Sequence, residues 1–130
     1  MAKTVAKLFG IVFVLVGLLG FATPHLLEFH LTPAHNVIHL VTGALSLYFG
    51  FKGTVSGTKM FCLIFGAVYT LLGIAGFLLG SPNGAHGIYW RVIPDVLELG
   101  TVDHIYHLIV GPIYLIAGLM TRTRGESGVN

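Results

Sequence analysis

Charge is scarce in this chain: Asp, Glu, Lys and Arg make up 9% of its 130 residues, too few for a soluble domain of this size. The formal net charge is only +2 and the basic residues are scattered, which excludes a nucleic-acid partner. Cysteine is nearly absent. Cys62 stands alone inside an apolar run, so there is neither a disulfide framework nor a cysteine-based metal motif, and the residue reads as a small hydrophobe. Catalytic signatures are missing too: there is no Ser-His-Asp order, no HExxH and no nucleophile elbow, and the only acid/base pairing on offer is Asp103 or Glu98 with a histidine. An enzyme is not expected. A transporter is disfavoured because no charge falls in mid-membrane and Pro112 alone interrupts a helix.

What the chain does have is apolar length. With 55% hydrophobic residues and a mean hydropathy of +0.87, it reads as an integral membrane protein whose partner is the lipid bilayer. Four segments, roughly 5–22, 34–51, 59–80 and 103–121, are each long enough to span the hydrocarbon core. Turn chemistry separates them: Thr23-Pro24 and Thr32-Pro33, then Lys52 to Thr58, then Ser81-Pro82-Asn83-Gly84. Thr32 before Pro33 predicts an N-cap and a first-turn proline, and Thr101 with Asp103 predicts a similar start for the last helix. Lys3 and Lys7 before an apolar run imitate a signal peptide, but the run recurs later in the chain, so an uncleaved first helix is expected. The tail from Thr123 to Asn130 is polar and expected to be disordered.

The recurrence is specific. Phe9 to Phe21 aligns with Phe65 to Phe77 at seven of thirteen identical positions, and His39, Leu40, Gly43, Leu47 and Gly50 match His107, Leu108, Gly111, Leu115 and Gly118. The expected fold is therefore an all-α membrane four-helix bundle made of two tandem parallel two-helix repeats. Gly10 and Gly17, Gly43 and Gly50, Gly66 and Gly73, and Gly111 and Gly118 are each seven residues apart, a stripe that lets helix backbones approach closely in lipid. Lys3, Lys7, Lys52, Lys59, Arg122 and Arg124 fall at one face and only Arg91 at the other, which predicts cytoplasmic termini. Every histidine, with Glu28, Asp95, Glu98 and Asp103, then falls at the external end. In the second external loop, Ile88-Tyr89-Trp90-Arg91-Val92-Ile93 suggests a short interfacial helix that anchors in the headgroup layer.

Histidine is rare in membrane helices, so the paired motifs His35-Asn36-Val37-Ile38-His39 and Asp103-His104-Ile105-Tyr106-His107 need a reason. Residues four apart share a helix face, so His35, His39 and Gly43 align on one helix and Asp103, His107 and Gly111 on another. Three readings stay open. In the first, His35, His39, Asp103 and His107 converge on a divalent transition metal such as Zn²⁺ or Cu²⁺, with His104 as a further ligand or supporting partner. In the second, His39 and His107 are axial ligands of haem b or a chlorophyll-type tetrapyrrole, and Gly43 and Gly111 make room for the macrocycle. In the third, the histidines only tie helices together in a structural scaffold or assembly subunit that binds other membrane proteins or a second copy of itself. His25, His30 and His86 fall in loops and read as ordinary solvated residues.

The Gly-rich Phe9 to Phe21 segment, His35-Asn36-Val37-Ile38-His39-Leu40 and Asp103-His104-Ile105-Tyr106-His107-Leu108 together resemble a family of small bacterial four-helix membrane proteins, domain of unknown function 4383. The resemblance covers nearly the whole chain. It implies four spans and a bacterial inner membrane, and it carries no activity. His104 stands where analogy with Asn36 suggests asparagine.

Overall fold

A computed structural model describes residues 1–26, 29 and 31–123; Glu28, His30, Arg124 and the tail beyond Thr123, with the expectations placed on them, lie outside the described residues. Four helices run up and down: α1 (Ala2–Ala22), α2 (Pro33–Phe51), α3 (Val55–Leu79) and α4 (Thr101–Met120). Three of them, α1, α3 and α4, are long and apolar enough to cross a membrane. In α2, His35, Asn36, His39 and Ser46 all face inward and are buried, whereas Val37, Ile38, Val41, Leu45 and Tyr48 are exposed on its outer side. Its polarity is therefore turned to the bundle interior, and its exposed side is apolar.

Helix boundaries follow local chemistry. The Thr32 side chain accepts from the His35 N–H and Pro33 opens α2, because proline lacks the N–H that a first-turn residue cannot use. Likewise, Thr54 accepts from the Gly57 N–H at 3.0 Å, so α3 starts at Val55 rather than near 59 and the connection from α2 is short. At α4 the carboxylate of Asp103 reaches back to the Gly100 N–H at 2.8 Å.

The pairs α1 with α2 and α3 with α4 pack along their glycines. A Cβ on Gly10 would meet Leu47, and one on Gly17 would meet Leu40; correspondingly, Gly66 faces Leu115 and Gly73 faces Leu108. Gly43 lies against Val14 and Gly10 O, and Gly111 against Thr70 and Gly66 O. Between the pairs sits an aromatic core centred on the fully buried Phe13, whose ring lies 5.9 Å from Phe65 and 5.6 Å from Tyr69. Polar contacts cross it as well: Ser46 Oγ and Tyr114 Oη are 2.6 Å apart, and Ser46 also donates to Ala6 O. At the end that holds the N-terminus, Ala2 N donates to Thr121 Oγ1 at 2.8 Å.

The connection between α3 and α4 is a three-stranded antiparallel sheet, not an interfacial helix. Its strands are β1 (Ser81–Asn83), β2 (Gly87–Ile93) and β3 (Leu97–Leu99), in the order β1-β2-β3. The aromatic and β-branched run of β2 suits a pleated surface with one covered side. Two special backbones end it. Gly87 has φ +67, and a Cβ there would strike Thr101 Oγ1; Asp95 takes φ 63 in the tight connection to β3, a conformation aspartate tolerates better than most residues.

Candidate functional site

The sheet lies across one end of the bundle, pinned to the helices beneath it. Ile88 N donates to Thr101 Oγ1 at 2.6 Å, His104 Nε2 lies 3.0 Å from Ile88 O, and Thr32 Oγ1 donates to Val96 O at 2.8 Å. Under it lies a cavity of about 70 Å³ with a floor and sides of His35, Ile38, His39, Tyr69, Leu72 and His107, and a roof of Val92, Leu97 and Leu99. Thus α2, α3, α4 and the sheet each contribute a wall.

The imidazoles are held differently. His35 and His39 lie one turn apart with tilted rings whose centroids are 4.5 Å from each other, and His39 stacks on Phe13 at 5.7 Å. His107 meets the edge of Tyr69 at 4.9 Å. His39 and His107 are 2% and 5% exposed, and the Nδ1 atom of each has no hydrogen-bond partner. Such orphaned groups are unusual, because a buried polar atom without a partner costs about 1–3 kcal/mol. Asp103, 1% exposed, places Oδ1 4.0 Å from His35 Nδ1 while its other oxygen caps α4.

His104 is turned elsewhere: its ring lies against Gly76 and edge-on to Phe77, with Nε2 at the Ile88 carbonyl, so it fastens the sheet and does not line the cavity. Gly43 and Gly111 are filled by the neighbouring helix and open no slot for a macrocycle. A volume of about 70 Å³ is far below the roughly 300–1,000 Å³ of small-molecule sites, so haem or a chlorophyll-type ring does not fit between His39 and His107 here. The space has room for a water molecule or two. Among the described residues, no group of three or more His, Cys, Asp or Glu is drawn to metal-ligand spacing.

Composition of the roof was not foreseen from sequence. Its signal was present in the alternation of β2 and in the turn at Pro94-Asp95. On the outside of the sheet, Glu98 accepts from the Tyr89 hydroxyl, from the Asp95 N–H at 2.9 Å and from Arg91 Nε at 2.9 Å. The Tyr89 hydroxyl, then the Asp95 N–H and the Arg91 guanidinium, hold its carboxyl down at about 2. Burial, and the bond to Glu98, push the Tyr89 phenol up to about 12. A depressed carboxyl stabilises the sheet above its ordinary value of 4.5 and ceases to as pH falls toward about 2. Trp90 fluorescence is therefore expected to change between those two pH values in the native chain. Glu98→Gln should abolish that titration and leave the sheet looser at neutral pH; an acid transition that persists in the variant would assign the titration to another group.

Four antiparallel helices, apolar outer faces and a small, largely apolar cavity that three histidines help to line under a β-sheet cap define a helical protein of membrane type. The chain matches the family described as domain of unknown function (DUF4383) over residues 3–120, and it belongs to that family. Neither a curated protein nor a solved structure gave a match.

Proposed function

We propose that this is a non-enzymatic membrane protein of the bacterial inner membrane that binds a divalent transition metal, Zn²⁺ or Cu²⁺, at its extracytoplasmic end through His35, His39 and His107. One observation carries the reading: His39 and His107 present buried, unpartnered Nδ1 atoms at a cavity that His35 also lines. Imidazole nitrogens without sulfur suit these divalent ions. Ligation requires the three rings to turn toward a common point.

All four helices span the bilayer in this reading, α2 included, since its exposed side is apolar. Among the described residues, Lys3, Lys7, Lys52, Lys59 and Arg122 lie at the end that holds the N-terminus and only Arg91 lies at the sheet end, which supports cytoplasmic termini. The matched glycine contacts of α1–α2 and α3–α4 support two tandem parallel hairpins of common origin.

Metal analysis of protein purified without a histidine tag tests the site. About one Zn²⁺ or Cu²⁺ per chain, lost in His107→Ala, is the expected result. Metal-free protein that also takes up none on titration overturns it and leaves a structural scaffold.

A further inference from the structure

We propose that the groove between α2 and α3 seats one acyl chain of an anionic phospholipid, whose headgroup is held beside Lys52 at the end of the molecule that carries the N-terminus. The proposal goes beyond the metal reading and rests only on the reading that α2 and α3 span the bilayer.

The groove follows from where the glycines point. Gly43 and Gly50 of α2 lie against α1, and Gly66 and Gly73 of α3 lie against α4, so the close backbone contacts fall within the two helix pairs. Where α2 meets α3 there are rings instead: Phe49 stacks on Phe61 with centroids 4.7 Å apart, and Phe61 on Phe65 at 5.2 Å. Rings hold the two backbones further apart than glycines do. Beside them opens a groove of about 400 Å³ that runs from Gly57 at its mouth past Ile64 to Val68, and every residue that lines it is apolar. That volume lies within the roughly 300–1,000 Å³ of small-molecule sites.

Depth and charge identify the occupant. From Gly57 to Val68 the helix rises roughly 16 Å at about 1.5 Å per residue, which is about half of a hydrocarbon core of ~30 Å. A slot that starts at one surface and stops near mid-bilayer matches a single chain of a single leaflet. A membrane-spanning helix of a second copy would overrun it. At the mouth, Lys52 is exposed in the connection between the two helices. Among the described residues, Lys3, Lys7, Lys59 and Arg122 share this end, whereas the carboxylates Asp95, Glu98 and Asp103 lie in or beside the sheet at the other. Such a surface favours a phosphate that carries no compensating ammonium.

Native mass spectrometry of the full chain in mild detergent, after incubation with phosphatidylglycerol and phosphatidylcholine of identical acyl chains, reads the occupant. One retained phosphatidylglycerol per chain is the expected result. Lys52→Gln should lower the preference for phosphatidylglycerol about fivefold, the attraction of roughly one lysine to an anionic surface. Ile64→Trp fills the groove from a position that is 59% exposed and so outside the core, and it should lose the bound lipid of either kind. Equal retention of the two lipids, or a preference unchanged in Lys52→Gln, overturns the headgroup assignment and with it the proposal. Full lipid occupancy in Ile64→Trp overturns the groove, and a lipid-free dimer makes this face a contact between copies and overturns the proposal as well. If Ile64→Trp does not fold, Lys52→Gln, changed only at the surface, still decides. A chain that alkaline carbonate strips from membranes refutes the spanning reading itself, whereas one that stays in the bilayer and retains no lipid refutes this proposal alone.

Discussion

Gly66→Leu is expected to unseat α4 from α3 and to cost more than about 3 kcal/mol, beyond the usual range for an over-packed core. A Cβ at this position would lie 2.6 Å from Leu115 N and 2.7 Å from Gly111 O. Both opposing atoms are backbone, so no side chain can rotate out of the way, and relief requires the helix axes to separate. Separation then forfeits the packing along Gly73 and Gly111 as well, because one rigid helix carries all of these contacts. Unfolding by denaturing detergent against a mild-detergent baseline measures the loss. Gly84→Ala supplies the control, since nothing lies within 4 Å of a Cβ there and no change is expected. A Gly66→Leu protein as resistant as the parent would mean that the helices are not held at this distance.

The glycine stripes illustrate what a sequence of this kind discloses. Spacing of seven puts small residues on one face whatever the tertiary structure, and in lipid that face has one good use. The Thr32-Pro33 start of α2 was equally legible, because capping is a local interaction. The segment Ile88 to Ile93 was not. Tyr, Trp and Arg side by side suit a headgroup layer, but β-branched neighbours and a turn at Asp95 let the same residues pair with Leu97 to Leu99, and strand pairing depends on partners outside the segment. The site divides in the same way. Helical period alone aligns His35 with His39, yet whether His104 or His107 turns to the cavity depends on the Ile88 carbonyl, which claims His104 from across the sheet.

His39→Leu is expected to pull stability and binding in opposite directions. Histidine at this position leaves a buried Nδ1 without a partner, against Phe13 on one side and His35 on the other. Leucine is close in volume and has no polar atom to strand, so the metal-free variant should gain about 1–3 kcal/mol. Zn²⁺ binding should disappear together with that gain. A histidine kept only to tie helices predicts the reverse, a loss of roughly 0.6 kcal/mol or more when its hydrogen bond goes. Detergent unfolding of metal-free parent and variant decides between them: a destabilised His39→Leu protein contradicts the view that the imidazole is held at a cost for the sake of a ligand. Proteins commonly tolerate local instability where they bind.

Division of the cavity walls among α2, α3, α4 and the sheet bears on how the molecule is made. A chain that emerges N-terminus first can close α1 on α2 along Gly10 and Gly17 while the remainder is still being synthesised. At that stage His35 and His39 have neither His107 opposite them nor Val92, Leu97 and Leu99 above. The cavity comes into being only when α4 has packed against α3 and the strands have folded over it, so an assembly intermediate presents His35 and His39 without it.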